Sequence, residues 1–362
     1  MAIKACDDLV VILGAGASHD CHVPTLTEFV NESWQPPLTR RLFASDKPFQ
    51  KILNEFPVVH SVVLSYIVAG GPAKTPVESF LRQLIANDDL VSRKQANYIT
   101  LYLRKLLDTV SRSYLWDGAR PAMSAYNVLV HHCHEAMRLG KVSSVSFVSM
   151  NYDLLFEQAL ESQFGIGFDR IENYCGFQPS WSLVKFHGSV NWWHSYDHVK
   201  TGQNTGYMKA EHRLIRAIEA GRIVEGNRIQ NARIEVRDKW GDQQGDEPVY
   251  FPAMAIPVEG KYQAICPDAH VEEIKNALGR NQWKLLVVGF SAKDKDVLDM
   301  LSPHWAGVTR FMVVNGKPQY GEEAITGFRK AGLQRRAMSK DAFEGGFSRF
   351  VAEDGGLKSF LS

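Results

Sequence analysis

Five consecutive apolar residues, Leu9 to Leu13, run directly into Gly14-Ala15-Gly16-Ala17-Ser18. This junction constrains the chain more than any other stretch. A short unbroken apolar run reads as a strand buried on both faces, which is the habit of parallel sheets. Small residues at its end let backbone approach a neighbour or a ligand closely. A helix starting there would present free N–H groups and a positive end to phosphate. Residues 14–18 are therefore a candidate diphosphate site, although an ordinary strand-to-helix turn would use the same residues.

The usual glycine loops do not fit. A dinucleotide fingerprint needs a third small residue where His19 stands, and an acid closing a second strand about twenty residues on. That region is Ser33-Trp34-Gln35-Pro36-Pro37, which is no strand. A phosphate loop of the nucleotide triphosphatases needs Gly-Lys-Ser/Thr, and the chain has no such tripeptide.

Composition narrows the class. The 362 residues are 45% hydrophobic and 22% charged, as expected of one large or two modest globular domains. A net charge of +1 gives no global electrostatic case for nucleic acid or membrane. No apolar stretch reaches the length of a membrane span, and Asp7-Asp8 ahead of a five-residue apolar run argues against a signal peptide. A cytoplasmic protein is expected. The five cysteines are scattered and form no C-x-x-C pair, so neither zinc nor another metal is expected.

The spacing predicts a helix over 19–32, interrupted by Pro24-Thr25 in a way that could wrap the loop around a ligand. Residues 33–140 read as a helical insertion. Thr75-Pro76-Val77-Glu78 looks like a helix start, and Ile99, Leu103, Leu106, Val110 and Tyr114 form an apolar stripe with Arg104, Lys105 and Asp108 on other faces. His131 and His134 sit here without the partners a metal would need.

Strand signals then return, each ending in small or polar residues. Ser143 to Met150 ends in Asn151-Tyr152-Asp153 and opens a helix at Leu154. Leu183 to Phe186 ends in His187-Gly188-Ser189, with Trp192-Trp193 close behind. Trp283 to Gly289 ends in Phe290-Ser291, followed by Asp294 and Asp296. Val308 to Val314 ends in Asn315-Gly316. Polar groups at the carboxyl ends of parallel strands stand where doubly wound sheets bind ligands. Asn151 or Asp153 could instead simply cap the helix that follows. Residues 195–250 are polar and glycine-rich, with arginines interleaved with acids, and read as an excursion from the core; direct contact with nucleic acid stays open.

The order Gly-Ala-Gly-Ala-Ser, Asn-x-Asp, His-Gly-Ser, Gly-Phe-Ser, strand-Asn resembles the sirtuin superfamily, across residues 9–32 and 143–316. The resemblance implies a Rossmann-like parallel sheet with helices on both faces, formed by residues 1–32 and 141–362 around the insertion. It implies that Gly14, Ala15, Gly16, Ala17 and Ser18 hold a pyrophosphate, with Pro24 and Thr25 nearby. Ser189, Gly289, Phe290 and Ser291 are further expected contacts, and Asn315 would meet the adenine ribose. Asn151, His187 and Asp153 are the expected catalytic residues, and NAD+ the substrate.

The departures are informative. The four-cysteine zinc module of the deacetylases is missing, and Met150 replaces the glutamine before the asparagine. These features look like the divergent bacterial sirtuin-like proteins of antiphage defence, which hydrolyse NAD+. That likeness implies self-assembly into a homo-oligomer and a partner such as a hexameric HerA-type DNA-translocating ATPase. A deacylase, an ADP-ribosyl transferase and a non-catalytic NAD or ADP-ribose-binding subunit are the alternatives.

Overall fold

The structure is a computed structural model; it describes residues 6–20, 47–70, 74, 77–87, 89–115, 124–175, 180–196, 210–221, 223, 233–237, 249–255, 265–280, 282–334, 338, 341–353 and 356–362. In chain order the elements are β1 (Asp8–Leu13), α1 (Ala15–His19), α2 (Lys47–Asn54), α3 (Pro57–Val68), α4 (Val77–Ala86), α5 (Leu90–Leu115), α6 (Ala125–Arg138), β2 (Val145–Ser149), α7 (Leu155–Phe164), β3 (Trp181–Lys185) and β4 (Gly188–Tyr196). There follow α8 (Ala210–Glu219), β5 (Ile234–Val236), β6 (Val249–Met254), α9 (Asp268–Arg280), β7 (Trp283–Val288), α10 (Lys295–Leu301), β8 (Val308–Asn315), α11 (Pro318–Lys330), β9 (Ala342–Glu344), α12 (Phe347–Ala352) and α13 (Leu357–Leu361).

The chain divides into two compact units. The first comprises Met1–Trp34, Tyr114–His187 and Gly260–Ser362. Its centre is a six-stranded sheet of order β3-β2-β1-β7-β8-β9, and every pairing in it is parallel. Numbered by their succession within this sheet, the strands run third, second, first, fourth, fifth, sixth. That is the strand order of dinucleotide-binding sheets, with its reversal between β1 and β7. Helices cover both faces, which explains why every residue of β1, β2, β3 and β7 is buried. The expected Rossmann-like fold is thus present.

Local signals set the helix ends. Ser124 caps α6 reciprocally with Asn127, satisfying two end donors at once. Gly165 ends α7 in the left-handed region at φ 67°. Asp294 caps α10, accepting from Val297 N. The helix after the first strand differs from expectation: α1 begins at Ala15, inside the glycine turn, and stops at His19. Small residues permit this early start because helix and strand share almost no linker. Pro24 and Thr25, with the rest of the helix predicted over 19–32, lie outside the described residues.

The second unit comprises Gln35–Ser113 and Gly188–Glu259. It contains a three-stranded antiparallel sheet of order β5-β4-β6. Trp192 and Trp193 are fully buried in β4. Ile99, Leu103 and Leu106 of α5 are buried as their spacing predicts. Arg104, expected on a polar face, is buried as well. Its guanidinium lies 4.4 Å from the Trp193 ring centroid and donates from Nε to Val190 O at 2.9 Å. A flat cation can stack on indole and still satisfy a carbonyl, so it is tolerated where lysine would not be. Among the described residues no helix is long and apolar enough to cross a membrane.

Candidate functional site at the carboxyl ends of the strands

Lys185, Ser149, Leu13, Val288 and Val314 form one register row across the sheet. Main-chain bonds carry the row one residue further, with Phe186 N on Ser149 O at 2.9 Å, Met150 N on Leu13 O at 2.8 Å, Gly14 N on Val288 O at 2.9 Å and Gly289 N on Val314 O at 2.9 Å. His187, Asn151, Ala15 and Phe290 therefore leave neighbouring strands side by side. Adjacent strands are about 4.8 Å apart, so four sequence-distant turns share one edge.

At the reversal between β1 and β7 the two glycine turns touch. A Cβ built on Gly16 would lie 2.8 Å from Gly289 Cα, and one on Gly14 would lie 2.7 Å from Phe290 Cα. Gly289 has φ 61°, and a Cβ there would lie 2.6 Å from Gly16 Cα. The close approach anticipated for a ligand is thus taken by backbone. Three turn amides are also engaged internally: Gly14 N on Val288 O, Gly16 N on Gly289 O and Ala17 N on Gly14 O. Ala15 and Gly16 form the exposed edge, while Ala17 and Ser18 are buried.

Asn151 is held tightly against this turn. Its Nδ2 donates to Gly14 O at 2.9 Å, to Ser18 Oγ at 2.9 Å and to Tyr126 OH at 3.3 Å. A carbonyl oxygen only accepts, so the Gly14 contact fixes which end of the amide points inward. Among the described residues nothing donates to Asn151 Oδ1, and that atom is not sealed from solvent. The amide thus offers an acceptor outward, with its donors committed.

Asp153 sets the direction of the network. Ser18 Oγ donates to Asp153 Oδ2 at 2.8 Å. With that proton spent, Ser18 accepts from the Tyr126 hydroxyl 2.9 Å away. Asp153 Oδ1 accepts from Leu155 N at 3.1 Å, so the same carboxylate also caps α7. One carboxylate oxygen caps the helix and the other meets Ser18. Tyr126 is fully buried, its ring centroid 5.2 Å from Phe156 and 5.4 Å from Phe347.

His187 forms a second, buried pair. Its Nε2 lies 2.7 Å from Asp294 Oδ2. Asp294 Oδ1 meanwhile accepts from Val297 N at 3.1 Å, which locks the carboxylate onto the start of α10. A carboxylate at Nε2 favours the tautomer protonated there and leaves the lone pair on Nδ1. The Tyr152 ring, next to Asn151, lies 6.2 Å from the His187 ring centroid to centroid and tilted by 30°. Two residues past Asp294, burial and then the Asp294 and Asp299 charges push the Asp296 carboxyl up.

Beneath the Asn151–Asp153 turn, Lys185 Nζ pairs with Glu157 Oε1 at 2.8 Å and donates to the main-chain oxygen of Asp153. Burial pushes the Glu157 carboxyl up, opposed by the charge of Lys185.

Ser291 is exposed on the loop between Gly289 and Asp294. Phe290 is buried, 6.4 Å centroid to centroid from Phe328. Next in the loop, Ala292 takes φ 54°, a strained setting for a residue with a Cβ. Asn315 ends β8, its Nδ2 donating to Tyr320 O at 3.3 Å and its main-chain oxygen accepting from Gly346 N at 3.2 Å. Ser189 is fully buried on β4 and belongs to the second unit. Among the described residues no cluster of His, Cys, Asp or Glu could hold a metal ion.

The strand order defines an α/β protein with a doubly wound, Rossmann-like sheet. No protein-family model matches the sequence, and no curated protein matches it. Among solved structures the chain is similar to a Sir2 enzyme determined for its mechanism and regulation, at 13% identity and TM-score 0.32 over 91% of this chain and 94% of that one. It is also similar to a Sir2 bound to the inhibitor EX-527, 2'-O-acetyl-ADP-ribose and a deacetylated p53 peptide, at 11% identity and TM-score 0.36 over 98% of this chain and 95% of that one. Both likenesses are distant.

Proposed function

We propose that the chain is an NAD+ hydrolase, cleaving the nicotinamide–ribose bond to give nicotinamide and ADP-ribose. The observation that carries this reading is the fixed Asn151 amide, held by Gly14 O and Ser18 Oγ with Oδ1 turned outward. The His187–Asp294 pair leaves the neighbouring strand end on the same edge. The sirtuin-like order of strand-end motifs names the substrate.

The chemistry asks for an acceptor that orients hydroxyls and a base near the ribose. In the proposed step the C–N bond breaks with its electron pair leaving on nicotinamide. Water adds to the anomeric carbon through an oxocarbenium-like transition state. Asn151 Oδ1 accepts a hydrogen bond from a ribose hydroxyl or the attacking water. His187 takes the proton released by that oxygen, and Asp294 stabilises the imidazolium. Asp153 and Ser18 act on the position of Asn151. The step balances without a metal or a redox partner.

The test is product analysis on the purified chain. A hydrolase yields nicotinamide and ADP-ribose from NAD+ alone. A deacylase needs an acylated peptide and yields acylated ADP-ribose, whereas a transferase leaves ADP-ribose on protein; either result overturns the hydrolase reading. By the same resemblance we propose NAD+ depletion in antiviral defence as the role. A homo-oligomer with a partner such as a HerA-type ATPase is the proposed assembly, in the cytoplasm. Co-purification of the two chains tests that pairing.

A further inference from the structure

Lys185 is the last residue of β3 and has no exposed surface, and Glu157, in the first turn of α7, is almost as deeply buried. Taking both charges out of water is costly, and an apolar pair of similar volume commonly folds as well or better. The arrangement is not even fully satisfied: Glu157 Oε2 has no hydrogen-bond partner among the described residues. Stability therefore does not account for the pair.

What the pair touches does. Lys185 Nζ donates to the main-chain oxygen of Asp153. That residue is then gripped at three points: its carbonyl by Lys185, Oδ1 by Leu155 N at 3.1 Å and Oδ2 by Ser18 Oγ at 2.8 Å. Asn151 lies two residues earlier in the same turn. Lys185 Nζ reaches that carbonyl from the end of β3, and Glu157 at 2.8 Å fixes where the ammonium stands.

We infer that Lys185, aligned by Glu157, is a positioning residue that sets the Asn151–Asp153 turn for turnover of the dinucleotide. The inference rests on the NAD+ hydrolase reading and adds a residue to it. Removing Lys185 alone strands the Glu157 charge, so that variant is expected to fold poorly. The informative variant is Glu157→Leu with Lys185→Met, which removes both charges and preserves apolar volume.

Two measurements on the full chain separate the outcomes. Nicotinamide release by the double variant should show kcat lowered about 10²-fold, the scale of a small misplacement of reacting groups, with KM for NAD+ nearly unchanged and melting temperature equal or higher. Peptide-level hydrogen exchange, read without any substrate, should show faster exchange over residues 150–155 and unchanged exchange in β1 and β7. A double variant with wild-type kcat, or with wild-type exchange over 150–155, overturns the inference. Should wild-type protein release no nicotinamide, the hydrolase reading falls, and the exchange measurement still decides whether the pair holds the turn.

Discussion

Gly16 and Gly289 meet backbone to backbone, with Gly16 N donating to Gly289 O at 3.0 Å. They come from the turns after β1 and β7, which flank the reversal of strand order. In open α/β sheets ligands bind beside that reversal. The contact packs main chain against main chain, and Ala15 and Gly16 beside it are exposed.

The first consequence concerns stability. Gly289→Ala places a Cβ 2.6 Å from Gly16 Cα at a position with φ 61°. The left-handed backbone alone costs an alanine about 1–2 kcal/mol, and the collision adds to it. Denaturant unfolding should show a loss of more than about 2 kcal/mol. A variant as stable as wild type would mean that the two turns do not touch.

Asp294 has two separable duties. Asp294→Asn keeps the oxygen that caps α10 and presents an amide donor to His187 Nε2, forcing the opposite tautomer. NAD+ cleavage should fall about 10²- to 10⁴-fold while thermal stability hardly moves. Asp294→Ala removes the cap as well and should cost about 1 kcal/mol more. Equal turnover by wild type and the asparagine variant would remove His187 from the proposed chemistry.

Acid sensitivity has a named source in the second unit. His194 on β4 is 4% exposed, and neither ring nitrogen has a partner among the described residues. Burial lowers its pKa to about 4. The folded value lies below the ordinary 6.5, so the unfolded chain binds the extra proton as pH falls between them. Stability is full above about pH 6.5 and falls toward pH 4, by about 2 kcal/mol at pH 5 from this group. His270 in the first unit is lowered by burial to about 4 and acts in the same direction. Melting curves at pH 7 and pH 5 should therefore converge partly in His194→Leu. An unchanged pH dependence would show that His194 is not sealed from water.

Much of the edge is legible in the sequence because each buried strand ends abruptly. Val145–Ser149 stops at Asn151 and Trp181–Lys185 at His187, so apolar periodicity alone places these side chains at carboxyl ends. What joins them is not legible. Asp294 is 107 residues from His187 and Tyr126 is 25 from Asn151, and no local pattern marks such pairs. Arg104 misleads because a cation in an amphipathic reading belongs to a wet face, and Lys185 passes unmarked inside the strand signal Leu183 to Phe186. Burial against Glu157, or over Trp193, is decided only by tertiary packing. The glycines are legible as glycines, but their reason, backbone against backbone at Gly289, appears only when the sheet closes. Asp153 gives one oxygen to the cap and the other to Ser18, a division no sequence pattern marks.

The most direct measurement is nicotinamide and ADP-ribose release from NAD+ by purified wild-type and Asn151→Ala chains of matched melting behaviour. Loss of the Oδ1 acceptor should slow release about 10²- to 10⁴-fold. Release by the alanine variant at the wild-type rate would contradict the assignment of this strand-end cluster as the site of cleavage.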